Sequence, residues 1–201
     1  VVPTPSAPEG YSAVWVGIGG FTCQNGALLQ TGIDLKLVDD TVSYDGKLIR
    51  IFWYLREVLI PTLLLAWYEW YPAAPIFLDN IIINSRDEVR LTVVATSTTT
   101  GNIFIENLSN NPTVEQELSS TFPLCQESAE WIVEDFGSDI ALVPFNNFGT
   151  VVFKRALALT AGGKVLTPDG AIISLVDQND VVITSVDEGL LGVTISYNKT
   201  Q

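Results

Sequence analysis

Histidine is absent from this 201-residue chain, and so is methionine. Without histidine there can be no Ser–His or Cys–His nucleophilic pair, and the usual acid–base group of neutral pH is missing. Proton chemistry is left to carboxylates. Cations are scarce, with ten Lys and Arg against 23 Asp and Glu and a formal charge of −13. Phosphate binding needs clustered cations, so nucleic acid is not an expected partner. No basic amphipathic helix speaks for a membrane surface. No His/Cys cluster suits zinc, and no glycine-rich phosphate loop precedes a helix. Neither a metal nor an organic cofactor is expected. The lack of Met means that the chain does not begin at a translation start, so a processed chain or a fragment is expected.

Charge of either sign is sparse, at 16% of residues, while 47% are hydrophobic. At about pH 2–3 most of the carboxylates would be neutral, and only the ten cations would repel one another. Such a composition tolerates acid and supplies enough apolar surface for one sizeable core. Two cysteines, Cys23 and Cys125, admit two readings. Oxidised, they would close a loop of about a hundred residues and stabilise by roughly 4–5 kcal/mol, which implies an oxidising compartment. Reduced, they would be independent buried thiols. Asn107-Leu-Ser109 and Asn198-Lys-Thr200 are glycosylation acceptor patterns consistent with export.

Helical periodicity is nearly absent. Period-two runs separated by turn residues recur instead: 11–18, 27–34, 66–72, 88–96, 102–108, 113–119, 129–135, 149–156, 170–176, 180–186 and 190–197. Strands at this spacing predict an all-β fold, an antiparallel two-sheet β-sandwich of the jelly-roll or concanavalin-like kind, in a single domain over 1–201. Alternate residues of a strand share a face. Glu130, Ile132 and Glu134 therefore lie together, as do Leu28, Gln30 and Asp34, and Trp67, Glu69 and Tyr71. Three strands could gather these polar and aromatic side chains on one sheet face. They could equally be the solvated half of an ordinary sandwich.

The blocks "WVGIGGFTCQNGALLQTGID" (15–34), "AWYEWYP" (66–72), "ATSTTTGNIFIENLS" (95–109), "LCQESAEWIVEDF" (124–136) and "VPFNNFGTVVF" (143–153) resemble, in order, the fungal glutamic peptidases, or eqolisins. The resemblance implies a secreted, extracellular acid endopeptidase acting on protein or peptide substrates, and a monomer is expected. It implies a catalytic dyad of Gln30 and Glu134. An ionised Glu134 would orient a water and take its proton, and the Gln30 amide would donate to the developing oxyanion. Trp15, Asp45 and Glu69 align with family residues near the site, as substrate contacts or orienting groups. The two family cysteines that pair fall on Cys23 and Cys125. One position departs: the family's "WVGIDG" reads "WVGIGG" here, so Gly19 replaces an Asp and a carboxylate near the cleft is lost.

Residues 46–65, "GKLIRIFWYLREVLIPTLLL", follow another rule. They hold three of the ten basic residues and one of the 23 acidic ones. Without them the neighbours read "YDAWYEWYP", the family's continuous block, once the split codon at the junction encodes Ala. Gly46-Lys47-Leu48 can encode an intron donor and Leu65-Ala66 an acceptor, in frame. A translated, unspliced intron is the expectation for this insertion. Its charges and Pro61 count against a membrane span, which leaves an amphipathic insertion helix as the structural alternative. The residues before "VPTPSAPEG" (2–10) are also fewer than the family usually carries, so early strands are expected to be missing.

Other functions remain compatible with the residues alone. A sandwich glycoside hydrolase would use a carboxylate pair such as Glu69 and Glu134 beside stacking aromatics. A non-catalytic carbohydrate- or peptide-binding module would use the same aromatic face. Gln30 separates them, because only peptidase chemistry needs its amide.

Overall fold

The computed structural model describes residues 1–4, 10–20, 23–24, 26–37, 43–44, 47–48, 62–135, 137–138, 141–142, 145–168, 181–189 and 192–198. Strands account for its regular structure. In chain order they are β1 (Gly10–Gly19), β2 (Leu28–Leu37), the two-residue β3 (Ser43–Tyr44) and β4 (Lys47–Leu48), β5 (Thr62–Tyr71), β6 (Ile76–Phe77), β7 (Val89–Ala95), β8 (Thr100–Asn107) and β9 (Thr113–Ser119). They continue as β10 (Ala129–Glu134), β11 (Gly137–Ser138), β12 (Ala141–Leu142), β13 (Thr150–Lys154), β14 (Ala158–Leu159), β15 (Val165–Leu166), β16 (Thr184–Gly189) and β17 (Gly192–Tyr197). The predicted strand at 170–176 and the site residue Asp45 lie outside the described residues.

A five-stranded antiparallel sheet, ordered β10-β1-β2-β5-β6, faces two three-stranded sheets, β7-β8-β9 and β13-β17-β16. Alternation decides which side chains meet between them. Val14, Leu29, Ile33, Leu35, Ala66, Trp70 and Val133 project from one side of the large sheet. They pack on Ile103, Ile105 and Val114 from one small sheet and Val151, Val193 and Ile195 from the other. Each such buried aliphatic side chain contributes roughly 1.5–3 kcal/mol of transfer free energy. The predicted sandwich is therefore present.

The sheets are tied together at three points. Cys23 and Cys125 are disulfide-bonded across a sequence separation of 102, joining the β1–β2 connection to the segment that leads into β10. Asn146 is fully buried; its amide donates to the carbonyls of Leu35 and Gly10 and its Oδ1 accepts from the Ser12 hydroxyl. One side chain thereby fastens the 145–148 segment to both β1 and β2. The Trp70 indole donates to the Phe122 carbonyl from below the same sheet.

Two expectations are modified. Thr62–Leu65, taken with the insertion, form the first residues of β5 and pair with Leu37–Asp34 of β2. No helix occupies the described part of 46–65. The Asn107 acceptor pattern is spoken for: Asn107 is 1% exposed, and its amide nitrogen donates to Asp87 Oδ2 and the Ile82 carbonyl. A glycan on that nitrogen is incompatible with this fold.

Candidate active site

The other face of the five-stranded sheet carries the site. Its pairing register forms three successive rows. Glu130, Gly17, Gln30 and Glu69 oppose one another across β10, β1, β2 and β5. The next row is Ile132, Trp15, Gly32 and Trp67, continued by Phe77 of β6. The third is Glu134, Ala13, Asp34 and Leu65. Paired residues share a side, so Gln30 and Glu134 lie on one face, on strands separated by β1. The shared faces expected for β10, β2 and β5 are all observed.

Glycine makes the floor. A Cβ on Gly32 would meet Trp15 Cβ at 2.6 Å and Trp67 Cζ2 at 2.9 Å, and one on Gly17 would meet Trp15 Cζ3 at 3.1 Å. The two bare positions accommodate the Trp15 and Trp67 indoles, which form a small apolar cluster with Ala13, Leu28 and Ile132.

Each half of the predicted dyad is held by a partner. Trp15 Nε1 donates to Glu134 Oε2 at 2.8 Å. Gln30 Nε2 donates to Glu69 Oε2 at 2.5 Å. As a carboxylate Glu69 only accepts, which matches the amino end of the Gln30 amide facing it. The second N–H of that group remains to be used, and Gln30 Oε1 is buried without a partner. Glu69 is thus hydrogen-bonded to Gln30.

These polar side chains are not the solvated half of a sandwich. Gln30 is 7% exposed and Asp34 9%. Burial raises the Asp34 pKa to about 7, opposed by the nearby Trp67 N–H, with the Glu134 charge adding to the rise and Lys36 opposing it. The Trp67 nitrogen itself is buried and outside hydrogen-bond geometry with any acceptor. Burial also raises Glu69, against the Gln30 hydrogen bond and with help from the Glu134 charge. Asp135 rises to about 6 through burial and the adjacent Glu134 charge. Glu134 thus sits among carboxyls that hold their protons more tightly than usual, which limits the negative charge around it.

Asp34 shares the Gln30 face in the sequence pattern, but no role followed from that alone. Lys36, on the same face, went unmarked; continuing the alternation along β2 would have found it. Gly19 has φ +97°, and a Cβ there would meet the Ala27 carbonyl oxygen at 2.6 Å. The chain adopts at this point a backbone that the family's Asp would strain. Among the described residues no cluster of three or more potential metal ligands occurs.

Comparison with known proteins shows the family. Residues 1–50 and 62–197 match the Peptidase A4 family, so that only 51–61 interrupt the match. The chain is 37% identical to aspergillopepsin-2 of Aspergillus niger over 92% of its own length, and spans 59% of that relative. It is 36% identical to scytalidopepsin B of Scytalidium lignicola over 96% of its length, and spans 68% of that one. The crystal structure of aspergilloglutamic peptidase from Aspergillus niger superposes with a TM-score of 0.74 at 36% identity, covering 93% of this chain and 98% of that one. Scytalido-glutamic peptidase with a peptide-based transition-state analogue superposes at 0.77 and 31% identity, covering 98% of this chain and 88% of that one. The chain belongs to the Peptidase A4 family, the fungal glutamic peptidases.

Proposed function

We propose that the protein is a secreted acid endopeptidase, and that Glu134 and Gln30 carry the reaction. Glu134, ionised and steadied by the Trp15 N–H, takes a proton from water as the water oxygen attacks the peptide carbonyl. Gln30, oriented by Glu69, gives its second N–H to the oxyanion that forms. Glu134 then returns the proton to the leaving nitrogen as the C–N bond breaks. No cofactor enters the sequence. Solved relatives bound to a peptide-based transition-state analogue and to the tripeptide Ala-Ile-His support peptide substrates. The disulfide supports an oxidising, extracellular setting.

The observation that carries the reading is the pair of anchoring hydrogen bonds, Trp15–Glu134 and Gln30–Glu69, on one sheet face. Purified protein is incubated with acid-denatured haemoglobin at pH 2–4, with and without an aspartic-peptidase inhibitor. Inhibitor-resistant cleavage that is lost in both Glu134→Gln and Gln30→Ala is expected. Cleavage at full rate by either variant removes the residue from the dyad.

A further inference from the structure

Lys36 is a cation on the candidate substrate face with no ion-pair partner among the described residues. It follows Gln30, Gly32 and Asp34 along the same side of β2, one row beyond Asp34, Ala13 and Glu134. Its cross-strand neighbour is Tyr11 of β1, and its ammonium stands 4.6 Å from the centre of that ring. Its ladder partner on β5 is Leu63. Lys36 is only 6% exposed, yet its nitrogen is not among the buried polar atoms that lack a partner. The stem is packed against Tyr11, and the ammonium lies over its ring.

Among the described residues Lys36 makes no ion pair. The one ion pair among the described residues joins Arg90 and Glu106. The nearest acid on its own strand is Asp34, whose proton stays on up to about pH 7. Among the described residues of the neighbouring strands the titratable groups on this face are Tyr11 of β1, Glu69 and Tyr71 of β5, and Glu134 and Glu130 of β10. Over the acid range a packed ammonium with no ion pair therefore lies one row along from the proposed general base. Lys36 is one row along (roughly 6.6 Å) and two strand spacings across (roughly 9.6 Å) from Glu134, about 12 Å in all, so a peptide held at Glu134 brings a side chain two or three residues from its scissile bond within reach of the long Lys36 stem.

We infer that Lys36, seated on Tyr11, is a specificity subsite that selects substrates with an acidic side chain two or three residues from the cleaved bond. The inference rests on the peptidase reading for its location and adds the class of substrate. A charge-assisted contact of this kind is worth about tenfold in discrimination.

The test uses quenched fluorescent peptides of one sequence in which Glu or Gln is scanned through the three positions on each side of the cleaved bond. At pH 5 the peptide Glu is mostly ionised and Asp34 still holds its proton. At one position the kcat/KM ratio of Glu to Gln should be about ten. It should fall to about one in Lys36→Met, be retained in Lys36→Arg, and vanish at pH 3, where the peptide carboxyl is protonated. Because each ratio is taken within one enzyme, a general loss of folded protein cancels. Binding of the same peptides to Glu134→Gln, read by fluorescence anisotropy, separates the two readings. Selective binding without turnover in the parent overturns the peptidase assignment and keeps the subsite. Equal binding of Glu and Gln peptides at every position, or a preference that survives in Lys36→Met, overturns the subsite.

Discussion

Gln30 and Glu69 are direct cross-strand partners in the β2–β5 ladder, and the amide of one donates to the carboxylate of the other. The pairing puts the amino end of Gln30 toward Glu69. It also costs something, because burial works against the charge on Glu69.

Replacing Glu69 by Gln removes that charge and allows either end of the Gln30 amide to face it. The expected result is a fall in kcat of about ten- to a hundredfold, since misorientation forfeits part of the oxyanion donor. KM should change little. Thermal stability should hold or rise, as a buried acid is deleted. Steady-state kinetics and a melting curve at pH 4 check both halves.

Trp15→Phe keeps the ring over Gly17 and deletes the N–H that holds Glu134. A loss of one hydrogen bond to a charged group, about 1.5–3 kcal/mol, predicts a kcat lower by roughly ten- to a hundredfold with the melting temperature nearly unchanged.

Stability should fall as pH rises. Asp34 is raised from 3.8 to about 7 and Asp135 from 3.8 to about 6 in the folded chain. Between the unfolded and folded values the native state binds more protons, so unfolding becomes easier with each step toward neutrality. For Asp34 the effect between about pH 4 and pH 7 is at most about 4 kcal/mol. Urea titrations across that range should show the decline, and Asp34→Asn should flatten it.

Restoring the family's acid by Gly19→Asp should destabilise the protein by roughly 1–3 kcal/mol, because the left-handed backbone and the Ala27 carbonyl leave no room for a Cβ. A gain in stability would show that this turn relaxes.

Reduction of Cys23–Cys125, or its replacement by two serines, should lower stability by about 2–5 kcal/mol. Activity should be lost at temperatures where the parent is stable, since the bridge holds the approach to β10 and hence Glu134.

Much of the fold was legible in the sequence because alternation is a local signal. β9 falls on 113–119 as read, and β1, β7 and β10 differ from their readings by a residue or two. The two-residue strands were not legible, since two residues carry no period. The dyad residues and Glu69 were placed by resemblance, and register then shows Gln30 and Glu69 to be neighbours. Asp34 and Lys36 stayed silent for a physical reason. An alternating polar residue reads as solvent-facing, and only the assembled sheet shows that both faces of β2 are buried.

Gly17 and Gly32 leave the centre of this face without side chains, filled instead by rings leaning in from Trp15 and Trp67. A surface made that way has little to adjust: any larger residue at either glycine collides with an indole before it can touch a ligand. Divergence in substrate preference within such a scaffold must then be written around the edge, by positions such as 36, 71 and 77, while the middle stays as it is.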